Sequence, residues 1–333
     1  MGGVKLLFIG GTGNISTAVS RRLLAAGHEL WLLNRGQRSA GLPGARTVIA
    51  DIHQPAAVRA ALGDEQFDAV VNWIAFTPED VQRDLDLFAG RTGQYVFISS
   101  ASVYRKPILD PVLTEATPAH NPFWKYSQNK IACEELLLKA WREKDFPVTI
   151  VRPAHTYDQI IPVALSAGSS WTIVDRIRRG LPVVVHGDGT SIWVVTHSDD
   201  FAKGFTGLLG NMRAVGEIFH ITSDELLNWN QIHEEIGRAV RQAPKIVHMA
   251  SDFIAQLEPD QAGGLLGDKT HSFWCDNSKI KRFVPGYTAT IPFHEGIRRT
   301  IAWFDADSKR SMTDPATDAL HERLIAAYGK GKQ

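Results

Sequence analysis

The sequence predicts an α/β fold, a doubly wound parallel sheet with helices on both faces and a smaller C-terminal α/β lobe. Three observations predict it. Short apolar runs alternate with helix-period segments through the first 152 residues. The links between them are short, which favours parallel strands joined by crossover helices. A glycine-rich stretch, Gly10-Gly11-Thr12-Gly13, stands between the first apolar run and the first helical one.

Taken in order, residues 4–9 read as the first strand. Ile15, Val19, Leu23 and Ala26 then recur at helical spacing, with Gly27 as a C-terminal stop. Further strands are expected over 29–33, 47–50, 69–74, 95–99 and 148–152, and helices over 55–62, 78–89 and 126–141. The second half is less regular, with strands over 183–185, 192–196, 218–222 and 246–249. Helices fit 199–209, 230–241 and 293–304, whereas 259–270, rich in glycine, reads as a loop. The expected organisation is a Rossmann-type dinucleotide-binding domain with the catalytic residues over 1–165. A mainly substrate-binding lobe with some sheet extension follows over 166–305, then a peripheral tail over 306–333.

Composition narrows the function. Lys+Arg and Asp+Glu both number 36, so the formal charge is zero and nothing favours a nucleic-acid or membrane partner. Only Cys133 and Cys275 occur, far apart, which fits a reducing compartment. The start of the chain lacks the features of a signal peptide, and no apolar run approaches the ~20 residues of a membrane span. A cytoplasmic protein is expected.

The glycine-rich turn suits a pyrophosphate. Glycines allow close backbone approach, and the next helix points its N-terminal N–H groups at the anion. Gly10, Thr12, Gly13, Asn14 and Ile15 are the expected contacts, with Ser16 where a third glycine is usual. Asn34-Arg35-Gly36 stands where NAD-binding proteins often carry a carboxylate for the ribose. Arginine can pair with a 2′-phosphate, which tilts the choice toward NADP over NAD, although Arg35 also suits a solvated turn. Asp51 and Ile52 are candidates to face adenine, Asp51 equally a helix cap. Trp73 and Ala75 close the fourth strand beside the expected nicotinamide, where Trp73 suits either the pocket or the core.

Tyr126 and Lys130, four residues apart, share one face of a helix. Tyr328 and Lys332 repeat the spacing but span two glycines with no strand to present them. Upstream of the first pair a strand ends in Ser99-Ser100-Ala101-Ser102-Val103-Tyr104. Together with the glycine-rich turn and Val151-Arg152-Pro153, this resembles the extended short-chain dehydrogenase/reductases, the NAD-dependent epimerase/dehydratase family. The resemblance spans roughly residues 4–300 and weakens after 160. It implies Ser100 as the catalytic hydroxyl, Tyr126 as acid/base and Lys130 as its electrostatic partner. A free tyrosine hydroxyl has a pKa of about 10. A cation ~4 Å away is worth up to about 4 kcal/mol at an effective dielectric of ~20, enough to bring Tyr126 toward neutrality.

Departures from the family pattern narrow the reaction. Ala101 and Ser102 stand where dehydratases carry an acidic pair, so dehydration is not expected. Trp193 stands where sugar-nucleotide epimerases place a diphosphate-gripping arginine, for which Arg176, Arg178 or Arg179 could substitute. Asp200 is expected to cap a helix. Ser102, His155, Tyr157 and Trp193 are the candidate substrate contacts, His155 equally a core histidine. The histidines show no metal-ligand spacing and hydride transfer needs no metal, so none is expected.

The leading expectation is an NAD(P)-dependent epimerase acting on a sugar or sugar nucleotide through transient oxidation to a ketone. The alternative is an NADP-dependent reductase or dehydrogenase of a sugar or other polyol without a nucleotide handle. A non-catalytic dinucleotide sensor or RNA-associated protein is the third class, disfavoured by the intact Ser100, Tyr126 and Lys130. The resemblance also implies a homodimer through the helices at 78–89 and 126–141.

Overall fold

The computed structural model describes residues 3–36 and 42–330. Seven strands form the central sheet: β1 (Lys5–Ile9), β2 (Glu29–Asn34), β3 (Arg46–Ile49), β4 (Ala69–Asn72), β5 (Tyr95–Ile98), β6 (Val148–Pro153) and β7 (Ile218–Ile221). Their spatial order is β3-β2-β1-β4-β5-β6-β7, every pair parallel. The order reverses beside β1, and the crevice at the carboxyl ends of β1 and β4 is where such sheets take ligands.

Alternation along the strands explains the two layers. Leu7, Ile9, Val70, Tyr95, Phe97, Val148 and Ile150 face one side. There they meet α2 (Pro55–Leu62), α3 (Pro78–Phe88) and α4 (Lys125–Lys144) through Val58, Val81, Leu87, Cys133 and Leu137. Leu6, Phe8, Val71, Val96, Ile98 and Val151 face the other side, against α1 (Ser16–Ala25) and the helix Ser198–Thr206. Both faces being covered, the strands read as continuous apolar runs. α3 starts at a Thr77–Asp80 capping box with Pro78 at its first position.

The strand expected over 218–222 joins the central sheet as β7, and that expected over 192–196 splits into Ile192–Trp193 and Val195–His197. A third apolar cluster, built on Trp171, Trp193, Trp229, Phe273 and Phe304, fills the second half. The helix Trp171–Arg178 was not anticipated. Residues 259–270 are a correction: the chain is helical over Pro259–Gly264 and turns as a π-helix over Leu265–Lys269. Gly263 is there for close approach, since a Cβ would lie 2.4 Å from Trp124. The tail carries the helix Pro315–Lys330, which buries Leu320 and Leu324 against Leu165, Val184 and Met249. Residues 331–333, including Lys332, lie outside the described residues. No helix among the described residues is long and apolar enough to cross a membrane.

Candidate active site

The glycine-rich turn leaves β1 with Gly10 at φ +96° and Gly11 at φ +86°, where side chains are rarely tolerated. A Cβ on Gly11 would stand 2.6 Å from Leu32 Cδ2, and one on Gly10 3.3 Å from Trp73 Cβ. The Gly13 amide donates to Ser16 Oγ at 2.8 Å, so the serine closes the turn as well as packing within it. The first turn of α1 contains no acidic residue, leaving the positive end of the helix dipole uncompensated. The Asn14 amide spans the two halves of the chain. It donates to Thr156 O at 2.9 Å and accepts from the Gln159 amide at 2.8 Å.

From this turn a cavity of about 940 Å³ runs to the start of α4. Gly10, Thr12, Gly13, Asn14, Ile15, Asn34, Arg35, Asp51, Ile52, Trp73, Tyr126 and Lys130 all line it. Ala75 does not; it is buried and offers its carbonyl to Lys130. Asn34 Oδ1 accepts from the Gly36 amide and Asp51 Oδ1 from the His53 amide, so both side chains also shape turns. Trp73 combines its two expected roles, packing on Phe8 and Phe205 at 5.5 and 5.1 Å while lining the cavity. Its Nε1 and Ser99 Oγ are buried polar atoms without a partner on residues of this wall. A cavity of this size, a glycine cradle and two unanswered polar atoms fit a dinucleotide.

Ser100 follows β5 and caps the turn Ala101–Val103, its Oγ accepting from the Ser102 amide at 3.2 Å. Tyr126 opens α4 and lines the same cavity as Ser100. Lys130, one turn on, donates to Ala75 O and Ile98 O, each at 2.7 Å. Its Nζ stands 5.8 Å from the Tyr126 ring centre. The expectation that Lys130 draws Tyr126 toward neutrality is corrected for the protein alone. Burial pushes the Tyr126 hydroxyl up to about 12, and burial pushes Lys130 down to about 8. The ammonium is turned toward carbonyls, and desolvation outweighs its reach to the phenol.

A second cavity, of about 450 Å³, meets the first at Ser100, Tyr126, Ala154 and His155. Ser102 and Trp193 line it, and Ser102 Oγ accepts from Ser127 at 2.8 Å. Burial pushes His155 down to about 3, which keeps its ring neutral. Tyr157 lines neither cavity. Its ring packs on Phe293 and His197, each at 5.3 Å, because strand alternation turns it into the third apolar cluster. The substitute arginines are committed elsewhere. Arg176 pairs with Asp318 and Glu322 at 2.5 and 2.6 Å, Arg178 with Asp305, and Arg179 with Asp175. Asp200 does not cap its helix; His197 does, while Asp200 accepts from Lys203 and the Ile291 amide.

Asn121 went unnoticed in the sequence. Its buried amide donates to Ser102 O at 2.8 Å and Gly267 O at 2.7 Å, bracketing the Ser100 turn to the second half. A single asparagine ahead of a proline gives no signal of that reach. Phe76, which lies 4.5 Å below Lys130 Nζ, and the substrate-cavity residues Asp260, Asp268 and Lys269 were likewise not anticipated. Among the described residues, no group of three or more His, Cys, Asp or Glu could hold a metal ion.

Residues 6–222 match the NAD dependent epimerase/dehydratase family. The chain belongs to that family. A 2'-dehydrokanamycin reductase of Streptomyces kanamyceticus is 30% identical over 259 residues, covering 77% of this chain and 72% of the relative. Chloroplast stem-loop binding protein of 41 kDa b of Arabidopsis thaliana is 29% identical over 259 residues, covering 73% of this chain and 65% of its own. In fold, the epimerase Mth375 of Methanothermobacter thermautotrophicus superimposes with a TM-score of 0.75 at 17% identity, over 93% of this chain and 94% of that one. This epimerase/dehydratase-family member is an NAD(P)-dependent enzyme of the short-chain dehydrogenase/reductase type, a sugar-related epimerase or reductase.

Proposed function

We propose that the protein is an NADP-dependent reductase or dehydrogenase acting on a sugar or similar polyol without a nucleotide diphosphate. The observation that carries this is the smaller cavity, whose lining among the described residues includes Lys269 but no arginine and presents Trp193 instead. A diphosphate is recognised best by a planar, bidentate guanidinium. The kanamycin-linked reductase, a relative over most of the chain, supports the same direction.

When bound, the dinucleotide supplies or accepts the hydride. The Ser100 hydroxyl holds the substrate oxygen in line with Tyr126. A Tyr126 hydroxyl raised to about 12 is protonated at neutral pH, the state that gives a proton to a carbonyl oxygen during reduction. Lys130 fixes the wall on which both stand by tying Ala75 to Ile98. Trp73 and Ser99 offer their unpaired groups to the cofactor, and Arg35 offers a pairing partner to a 2′-phosphate.

Residues 1–165 bind the dinucleotide and carry the catalytic groups, residues 166–305 mainly shape the substrate cavity, and 306–333 form a tail. The protein works in the cytoplasm, where its two buried free thiols stay reduced, without a metal or nucleic acid. It forms a homodimer through α3 and α4, which pack side by side; a strict monomer in sedimentation would reject that.

The test is NADPH oxidation with free keto sugars, alongside binding of UDP-glucose. Turnover of a free sugar with no gain from the nucleotide supports the proposal. Markedly tighter binding of UDP-glucose would overturn it. The second reading, an epimerase that retains its cofactor, is favoured by the family match over residues 6–222.

A further inference from the structure

The substrate cavity contains a carboxyl group that the hydride chemistry does not use. Asp268 lies in the π-helical turn Leu265–Lys269, with the Thr270 amide reaching Leu265 O at 3.0 Å. Such turns are frequent at functional sites because the inserted residue redirects a side chain. Gly267 permits this one, as its Cβ would stand 2.9 Å from Trp124 Cβ. Through Gly267 O and Ser102 O, Asn121 fixes the Asp268 turn to the Ser100 turn. Asp268 therefore shares one cavity wall with Ser100 and Tyr126.

Among the described residues Asp268 Oδ1 has no hydrogen-bond partner, and neither has Lys106 Nζ. The two stand 3.7 Å apart, close enough to balance charge and too far to hydrogen-bond. Lys106 is fully enclosed, over the Phe273 ring at 4.9 Å, and does not line the cavity. Burial raises the Asp268 carboxyl and Lys106 opposes the rise. Oδ1 is enclosed on the Lys106 side, while the side chain keeps 12% of its surface exposed and lines the cavity, so the carboxyl group has a cation behind it and ligand space before it.

We propose that Asp268 binds substrate, accepting a hydrogen bond from a hydroxyl or ammonium group near the reacting carbon, with Lys106 holding its charge. An ionised carboxylate only accepts, so the group set against it must bring a proton, and a uronate carboxylate or phosphate placed there would be repelled. The substrate class is thus a neutral or amino sugar. This rests on the smaller cavity being the substrate site of the proposed reductase.

Tryptophan fluorescence of the NADP-loaded protein, titrated with methyl glucoside, methyl glucosaminide and methyl glucuronide, tests it. Trp124 and Trp193 line the cavity, so occupancy is read without turnover. The first two probes should bind about tenfold more tightly than the glucuronide, the scale of one charge-assisted hydrogen bond. The double variant Lys106→Met with Asp268→Asn removes both charges and leaves no buried ion unpaired. It should lose the preference and keep its NADP affinity. Wild-type protein that does not discriminate among the probes, including one that binds none, overturns the proposal, as does a double variant that still discriminates. Failure of the reductase reading is separate: no NADPH-dependent turnover, with the preference intact.

Discussion

Lys130 sits 5.8 Å from the centre of the Tyr126 ring while its ammonium bonds the carbonyls of Ala75 and Ile98, each at 2.7 Å. The lysine thereby joins the segment after β4 to the end of β5, in the wall of the larger cavity. The ammonium is turned to those carbonyls rather than to the phenol, and burial raises the Tyr126 hydroxyl to about 12.

Tyr126→Phe should lower turnover by about 10²–10⁴-fold, the usual worth of a positioned proton donor. Dinucleotide affinity should change little, because the ring and its packing on Trp124 at 4.8 Å persist. Steady-state kinetics beside a cofactor titration checks this, and unchanged turnover would remove Tyr126 from the catalytic role.

Arg35→Ala should weaken NADP binding by about tenfold and leave NAD binding nearly unchanged, since only NADP carries the phosphate that a guanidinium would pair. Parallel calorimetric titrations of the two dinucleotides measure the ratio. Equal losses for both would return Arg35 to the role of a solvated turn residue.

Gly11→Ala should destabilise the fold by about 2 kcal/mol, combining a positive φ with a Cβ placed 2.6 Å from Leu32. Urea unfolding reads the loss. Gly286→Ala is the control, because it shares a positive φ but meets nothing within 4 Å. It should cost less.

His321 is buried against the tail helix's partners, accepting from the Val184 amide at 3.0 Å. Burial pushes it down to about 4, with Arg176 and His233 adding to the drop and Asp318 opposing it. A folded pKa below the unfolded value of about 6.5 means that the unfolded chain binds the extra proton between those values. Stability should therefore fall as pH drops from 6.5 toward 4. His321→Gln should make that slope shallower by about 1.4 kcal/mol per pH unit, measured by unfolding at several pH values. An unchanged slope would contradict the assignment.

The sheet was legible because strands covered on both faces spell apolar runs, as Val70-Val71 and Tyr95–Ile98 do. Ser100, Tyr126 and Lys130 were legible because helical spacing and a strand end put them on one side. Other features depend on contacts remote in sequence. Gly263 and Gly267 read as chain breakers, yet they make room for Trp124. Arg176 looked free for a phosphate until the tail brought Asp318 and Glu322 to it across more than 140 residues. Tyr157 alternated inward instead of toward the cavity, and Asp268 sat in a stretch that looked like a loop. The position of Lys130 on its helix follows from the spacing, but its carbonyl partners come from two other segments, so the burial that raises the Tyr126 hydroxyl was not legible in the motif.

The most direct test is the dinucleotide content of the purified protein after extensive dialysis, by mass spectrometry of the denatured sample, followed by titration with NADP. The reductase account predicts an empty protein that rebinds NADP reversibly, because a cofactor spent in each turnover must leave. A stoichiometric complement of NAD that survives dialysis would contradict it and indicate the cofactor-retaining epimerase.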